Sequence, residues 1–330
     1  MININSNISV PKYQQIINSI EELIISGSLK KEDQLPSINT IREKQKVSRD
    51  TVLIAFRELK NRGIIESVMG KGYYVLNDSI SYTKKIFLLF DELNSFKEDL
   101  YNSFLDNLGK DVRVDIFFHH FNREVFEKII DEKAGSYDNY VVMPANFKNT
   151  NKNLKKLPKN KVYILDQLHK DLKNYPAVFQ NFKDSIYNSL TEIEGLIKKY
   201  KKIFLVNAGL KQPKELINSV ANFCKERGID FSVATSLTNT TPKKGHLYII
   251  PDDKNLLRII KKSKQHNLLL AKDYGIISFN NTLLKEIVEG GITTISTNFN
   301  TMGKNLAEMI QKNKTIHIEN PSEIILRNSL

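Results

Sequence analysis

The chain has 330 residues, a formal net charge of +12 and one cysteine. This length predicts more than one compact unit, because single hydrophobic cores rarely grow beyond about 250 residues. One cysteine excludes an intramolecular disulfide framework and is typical of a reducing compartment. We find neither a stretch apolar enough to span a bilayer nor a signal-peptide pattern, so we expect a cytoplasmic protein with no membrane partner.

The positive charge is spread along the chain. Residues 1–77 carry eleven Lys/Arg and eight Asp/Glu, so most of the excess lies in the remainder. A basic protein favours polyanionic partners, but global charge alone identifies none. We interpret the lysine-rich segment 152–161 as solvated surface, and Cys224 as inert packing within a helix.

Residues 1–77 predict three helices followed by a hairpin. Apolar side chains at helical spacing over residues 11–26 predict the first helix, with a proline and a glycine suited to its two ends. Ser37 and Ser48 are placed to cap a second helix and a third. Two short strands around a glycine-rich turn at 69–72 complete the pattern.

The third helix and the hairpin carry residue types suited to duplex DNA. Ser48 and Thr51 place hydroxyls near phosphates, and Arg49 can pair with guanine. The turn Gly70-Lys71-Gly72 allows close backbone approach to a minor groove and adds one cation. Each element alone is also explained by helix capping or solvation. Together they predict DNA contacts at Ser37, Asn39, Arg42, Ser48, Arg49, Asp50, Thr51, Gly70, Lys71 and Gly72.

Residues 35–75 resemble the winged helix-turn-helix of GntR-type bacterial transcription regulators. They contain, in order, Leu-Pro-Ser, Val-Ser-Arg-x-Thr-Val, Leu-x-x-x-Gly and Gly-x-Gly-x-x-Val. Members commonly carry arginine where this chain has Asn39 and Leu53, and Arg42 is a candidate substitute. The resemblance implies a double-stranded DNA operator, an inverted repeat read by a homodimer. The two missing cations imply a smaller salt dependence of binding.

Beyond residue 84, short apolar strands alternate with helices, which is typical of parallel sheets covered on both faces. We predict strands at 86–90, 112–118, 140–143, 162–165, 203–206, 247–250 and 275–279. We predict helices near 95–109, 122–134, 182–200, 213–227, 253–266 and 301–312. The expected organisation is a DNA-binding domain at 1–77, a linker at 78–83 and an α/β effector-binding domain at 84–330.

Residues 275–310 resemble the corresponding segment of LacI/GalR repressors. A strand ends in Asn280-Asn281, a Gly-Ile-Thr-Thr-Ile-Ser crossover follows, and a Met-Gly opens a helix. The resemblance covers about residues 84–327. It implies a periplasmic-binding-protein-like body of two lobes with parallel doubly wound sheets, whose ligand lies beyond the carboxyl ends of the strands.

Polar and aromatic residues follow these strand ends. Carboxylates and amides can bind vicinal hydroxyls, and an aromatic face can cover the C–H surface of a sugar. Asp91 could equally cap the next helix, and His119 and His120 should point to opposite faces and so form a poor metal pair. The predicted ligand-binding residues are Asp91, Glu92, His119, His120, Asn146, Asp166, Gln180, Asn181, Phe182, Asn280 and Asn281.

The sequence lacks the common catalytic motifs, among them Gly-x-Ser-x-Gly, a Walker loop and His-Glu-x-x-His. We therefore expect a regulator rather than an enzyme, with no metal or cofactor, whose operator binding is controlled by a small carbohydrate. The candidate site shows no obvious Arg or Lys, which favours a neutral monosaccharide such as a fucose-like deoxyhexose. The alternatives are a sugar phosphate or sugar acid as effector, a sugar-modifying enzyme with an accessory DNA-binding domain, and a structural interaction module.

Overall fold

The computed structural model describes residues 2–4, 11–78, 84–109, 111–207 and 209–330. The amino-terminal part, here called the head, consists of three helices and a two-stranded antiparallel hairpin. Its elements are α1 (Lys12–Ile25), α2 (Ile38–Gln45), α3 (Arg49–Asn61), β1 (Ile65–Val68) and β2 (Gly72–Val75). All five match the predicted elements to within a few residues.

Two serine caps fix where α2 and α3 begin. The Ser37 hydroxyl accepts a hydrogen bond from the Thr40 backbone N–H at 3.1 Å, and Ser48 does the same for Thr51 at 3.2 Å. These bonds satisfy backbone donors that a helix leaves unpaired at its first turn. The buried faces of the helices meet in one core. In it the rings of Phe56 on α3 and Tyr73 on β2 pack edge to face, with 4.7 Å between their centres.

Behind the head lies a body of two lobes. The first lobe holds a six-stranded parallel sheet in the order β13-β7-β6-β5-β3-β4. Its strands are β3 (Lys84–Phe90), β4 (Val112–Phe118), β5 (Asn139–Val142), β6 (Val162–Asp166), β7 (Ala177–Phe179) and β13 (His317–Glu319). Its helices are α4 (Ser95–Asp106), α5 (Arg123–Lys133), α6 (Asn151–Leu154) and α12 (Phe299–Gln311).

The second lobe holds a six-stranded sheet in the order β14-β12-β11-β10-β8-β9, in which only the edge strand β14 runs antiparallel to its neighbour. Its strands are β8 (Lys202–Val206), β9 (Asp230–Ala234), β10 (His246–Ile250), β11 (Tyr274–Phe279), β12 (Thr293–Thr297) and β14 (Ser322–Ile325). Its helices are α7 (Phe182–Glu192), α8 (Glu194–Ile197), α9 (Lys214–Arg227), α10 (Asp253–Gln265) and α11 (Leu283–Ile287).

The chain crosses between the lobes three times, after β7, after β12 and after β13. The second crossing leads into α12, which packs against α4 of the first lobe through Gly303. A Cβ at Gly303 would lie 2.3 Å from the Leu100 carbonyl oxygen, so only glycine permits this close approach. The crossings therefore hold the carboxyl ends of the two sheets against each other.

The α/β architecture with two parallel-sheet lobes confirms the predicted fold class. Residues 291–296, expected only as a crossover, instead contribute most of strand β12 before the chain crosses. The helix expected to open at the Met-Gly pair begins at Phe299, where the Asn298 side chain caps it. The domain limits at 1–77 and 84–330 stay predictions, and linker residues 79–83 lie outside the described residues.

Candidate functional site

A cavity of about 300 Å³ lies between the two lobes, at the carboxyl ends of their strands. Its lining comes from segments that follow β3, β4, β6 and β7 in the first lobe and β8, β10 and β11 in the second, together with residues of β12 and β14. Parallel sheets present a crevice at this edge, since the loops leave the strands in different directions. We call it the interlobe cavity.

The first-lobe wall carries a buried ion pair, Lys97–Asp91, and a second buried carboxylate, Asp166. Asp91 directly follows β3 and accepts a short hydrogen bond from the Lys97 ammonium group, which stands in the first turn of α4. Asp166, the last residue of β6, accepts from Gln180 Nε2 at 2.6 Å. Burial raises the pKa of Asp166, whereas Lys97 lowers it and Asp91 raises it further. This wall therefore holds more negative than positive charge in a poorly solvated place.

The second-lobe wall contains a lysine that is only 2% exposed, Lys285. Its Nζ donates to the carbonyls of Phe279 and Asn280 at 2.7 and 3.0 Å and lies 3.4 Å from the Asp253 carboxylate. Burial lowers the pKa of Lys285, and Asp253 opposes that shift. The ammonium group therefore fixes the backbone at the end of β11, where Asn280 takes a left-handed φ of 59°.

One turn of the second lobe reaches the first. The Lys211 ammonium lies 2.6 Å from Glu92 Oε2 and 5.3 Å from the centre of the Phe121 ring. The next residue, Gln212, accepts a hydrogen bond on its backbone oxygen from Asn146 Nδ2. Loops after three first-lobe strands thus converge on a single turn, and the cavity is closed on this side.

Six of the eleven predicted ligand residues line the interlobe cavity: Asp91, Glu92, Asp166, Gln180, Phe182 and Asn280. The other five are placed elsewhere. His119 is fully buried against Phe126 and Phe147, with Nε2 3.1 Å from the Met143 carbonyl, and burial lowers its pKa. His120, the next residue, is exposed.

The three asparagines outside the lining have structural contacts. Asn146 joins the two lobes as described above. The Asn181 side chain caps α7 by accepting from the Asp184 backbone N–H at 3.3 Å. Asn281 donates from Nδ2 to Glu286 at 2.7 Å. Their predicted role in ligand binding has no support from the geometry of the cavity.

The expectation that no lysine faces the site is wrong. Lys97, Lys211 and Lys285 all line the interlobe cavity, and each is paired with a carboxylate. Sequence reasoning also missed the aromatic rings of Phe96, Phe121 and Phe279. Phe121 and Phe279 stand at strand ends, so the rule that selected Asp91 could have found them.

Seven of the ten predicted DNA-contacting residues lie at the start of α3 and at the hairpin tip. Arg49 and Asp50 are exposed in the first turn of α3. At the tip, Gly70 and Gly72 have φ angles of 74° and 114°, which glycine adopts without strain. Gln34 Nε2 donates to the Lys71 carbonyl at 2.6 Å and ties this tip to the segment before α2.

The predicted contacts on α2 are less uniform. Ser37 uses its hydroxyl as the helix cap, and Asn39 is exposed. Arg42, the candidate substitute for a missing arginine, pairs with Glu43 at 3.0 Å. Because this pair is exposed, it costs little to break when a phosphate approaches.

The family profile described as "Bacterial regulatory proteins, gntR family" matches residues 12–75. The transcriptional repressor YtrA of Bacillus subtilis is 35% identical over 106 residues, which cover 32% of this chain and 78% of the repressor. The chain belongs to the gntR family. A second relative, the mannosyl-D-glycerate system repressor MngR of Escherichia coli, is 38% identical over 96 residues, 29% of this gntR-family chain and 38% of that repressor.

Solved structures match a larger share of this gntR-family chain. A LacI family regulator of Silicibacter pomeroyi superposes with a TM-score of 0.63 at 13% identity, covering 74% of this chain and 98% of that one. A LacI family regulator of Enterococcus faecalis with bound ribose gives 0.60 at 19% identity over 74% and 98%. The chain therefore joins a gntR-type head to a body with the LacI-regulator fold.

Membrane-spanning helices and metal-binding clusters were sought in the described part of the chain. Among the described residues, no helix is long and apolar enough to cross a membrane. In the same part of the chain, no group of three or more His, Cys, Asp or Glu side chains is arranged to hold a metal ion.

Proposed function

We propose that this chain is a DNA-binding transcriptional regulator whose affinity for its operator is controlled by a small carbohydrate in the interlobe cavity. The observation that carries this proposal is the combination of carboxylates, amides and phenyl rings on the cavity walls. Solved relatives of the same fold include one with bound ribose. A regulator of the chromosome acts in the cytoplasm, where we place this chain.

The cavity offers the contacts that a monosaccharide needs. Asp166 and Gln180 stand side by side and can accept from and donate to neighbouring hydroxyls. Asn280 approaches from the opposite lobe, and no hydrogen bond of its side-chain amide is found among the described residues. Phe182 and Phe279 supply apolar faces for ring C–H groups. The volume of about 300 Å³ lies at the small end of ligand sites.

The charge of the walls favours a neutral sugar over a phosphate or an acid. Each lining lysine already has a carboxylate partner, and Asp166 and Asp252 add negative charge without a salt-bridge partner among the described residues. To bind one of these lysines, an anionic ligand would have to displace its carboxylate partner. The displaced carboxylate would remain partly buried without a counter-charge, which costs free energy. A deoxyhexose such as fucose combines hydroxyls with a methyl group suited to the phenyl rings.

The ligand controls DNA binding only if it prefers one arrangement of the lobes. A sugar held by Asp166 in the first lobe and Asn280 in the second stabilises the closed arrangement. By linkage, DNA must then alter sugar affinity by the same factor as sugar alters DNA affinity. This reciprocity separates a regulator from a sugar-modifying enzyme, which would turn the sugar over.

We propose that two copies of the chain read an inverted repeat, because one winged helix covers few base pairs. Helix α11 supports a seam in the second lobe. Leu283 and Ile287, one helical turn apart, are 75% and 76% exposed, which is unusual for neighbouring large apolar side chains. A two-fold axis beside α11 would bury both residues against their symmetry mates.

A screen of neutral, amino, acidic and phosphorylated monosaccharides by thermal shift tests the ligand class. A ligand that binds the folded state raises the melting temperature. We expect a neutral sugar to give the largest rise, and we expect that sugar to change operator affinity in a gel-shift titration. A larger rise with a phosphate would contradict the charge argument, and turnover of the sugar would support the enzyme alternative.

A further inference from the structure

The lysine-rich segment 152–161 ends on a surface that the functions above leave unused. All six strands of the first-lobe sheet begin at the edge opposite the interlobe cavity. Two adjoining grooves run along this edge and share Asn160 and Thr315. One is lined by Lys159, Lys173 and His317, and the other by Lys84 and Lys161. We call these two grooves the amino-edge surface.

The amino-edge surface has a strong positive excess. Within the described part of the chain, none of its four lysines has a carboxylate oxygen within 4.0 Å. Asp138 is the one carboxylate in the described lining, and it accepts from the Lys85 backbone N–H at 2.8 Å. Burial lowers the pKa of Lys84, the Asp138 carboxylate opposes that shift, and the nearby charge of Lys161 adds to it. Four lysines and one carboxylate leave an excess of positive charge at this edge, and the repulsion among the lysines would be relieved by an anionic partner.

The cations extend over a wide surface. The four lysines lie at the starts of β7, β6 and β3, and β7 and β3 are three strand spacings apart in the sheet. At about 4.8 Å per spacing this is roughly 14 Å. One small anion cannot contact cations so far apart, whereas a nucleic-acid backbone presents one phosphate about every 3.4 Å along each strand.

The DNA-reading head lies at this same edge. Strand β3 begins at Lys84, six residues after Asp78, so the connection spans at most about 20 Å. Lys85 also lines a groove together with Ile54 and Arg57 of α3. The head, and any duplex bound to it, therefore lies on the amino-edge side of the first lobe and not on the side of the interlobe cavity.

We propose that the amino-edge surface is a second DNA contact, which binds the phosphate backbone beside the sequence that the head reads. Lys159 and Lys173 neutralise phosphates, and Asn160, Asn174 and Thr315 add hydrogen-bond donors of the kind that contact phosphate oxygens. The contact is independent of base sequence. It rests on the proposed DNA-binding function of the head, which supplies the duplex.

The test measures the salt dependence of binding to a 60-base-pair duplex of random sequence. It compares the full chain with the double variant Lys159→Gln/Lys173→Gln. The matched control, Lys225→Gln/Lys261→Gln, removes the same charge from exposed positions on α9 and α10 of the second lobe. Thermal unfolding of each protein confirms that the fold is kept.

Each lost phosphate contact lowers the slope of log K against log salt by about 0.9, so we expect the amino-edge variant to lose between 1 and about 2 slope units. The control should keep the wild-type slope. A wild-type slope in both variants, or an equal loss in both, would overturn the amino-edge contact. Failure of the wild-type chain itself to bind any duplex would instead refute the DNA-binding function of the head.

Discussion

Lys211 in the second lobe and Glu92 in the first form an ion pair at 2.6 Å across the mouth of the interlobe cavity. Both side chains remain partly exposed, at 54% and 31%, so the pair is worth about 0.2–1 kcal/mol. A contribution of this size can bias the lobes towards closure without locking them. The pair therefore suits a clamp that must open to admit a ligand.

Breaking this pair should weaken sugar binding through the lobe equilibrium. We expect Lys211→Met and Glu92→Gln each to lower sugar affinity up to about fivefold, since only the closed fraction binds. The charge-reversed double variant Glu92→Lys/Lys211→Glu should recover most of the loss, as measured by calorimetry. Additive losses in the double variant would show that the residues contact the sugar separately and do not act as a latch.

Asp166 gives the unliganded protein a specific pH dependence. Burial raises its pKa above the ordinary 3.8, so the folded chain holds this proton more tightly than the unfolded chain. The resulting stability is fully present below pH 3.8 and is lost as the pH rises through the folded-state pKa. Asp166→Asn keeps an acceptor for Gln180 but cannot ionise.

The Asp166→Asn variant should therefore melt higher than the wild type at pH 7, and this gain should shrink as the pH falls towards 3.8. Melting temperatures across this pH range provide the measurement. Asp230→Asn, at an exposed position on β9, controls for the substitution itself. A difference that stays constant with pH would argue against a buried, titrating Asp166.

Arg49 should supply base recognition by the head. Arg49→Ala removes a side chain exposed at the first turn of α3 and should cost about 1–3 kcal/mol of specific affinity, with relaxed preference at one base pair per half-site. Gel-shift titrations on an operator selected from a random pool measure both effects. Lys60→Ala, at the far end of α3, serves as the control. Unchanged base preference in Arg49→Ala would place the reading surface elsewhere.

The exposed face of α11 should hold the dimer together. Leu283→Glu combined with Ile287→Glu places two negative charges on this face of each subunit. A two-fold axis beside α11 would bring these charges close to the same charges of the other subunit, and their repulsion should separate the subunits. Sedimentation at micromolar concentration should then show monomers, whereas we expect the wild type to sediment as a dimer. Leu269→Glu combined with Leu326→Glu, at positions 57% and 53% exposed outside α11, is the matched control. A double variant that remains dimeric would exclude this seam.

The sequence predicted the fold well wherever an element has its own periodicity. Five strands were not predicted: β7, β9, β12, β13 and β14. Strands β9, β13 and β14 lie at sheet edges, where burial is partial and leaves only a weak pattern. Strand β7 has three residues, and β12 is Thr-Thr-Ile-Ser-Thr, fully buried yet mostly hydroxylated. Its hydroxyls are satisfied by distant partners, as when Thr297 donates to the Pro321 carbonyl at 2.8 Å. Such long-range bonds leave no local pattern.

Some of the cavity residues could be predicted from the sequence and others could not, again because only some have a local pattern. Asp91 and Asn280 follow strand ends, and parallel topology alone brings strand ends together. Lys97 and Lys285 stand on helices, where a lysine normally indicates solvent. Their burial depends on Asp91 and Asp253, acceptors whose positions only the folded chain fixes. Local sequence therefore could not show that the cavity contains cations at all.

If sugar in the interlobe cavity controls DNA binding, a variant of Asn280 should separate sugar affinity from operator affinity. Asn280→Ala should leave a sugar hydroxyl unpaired and cost about 1–3 kcal/mol of sugar affinity, while basal operator affinity stays at the wild-type value. The measurement is operator binding by wild type and variant over a titration of the sugar chosen by thermal shift. We predict that both proteins respond, the variant only at roughly 5–150 times more sugar. A wild-type operator affinity that stays constant at saturating sugar would contradict the account.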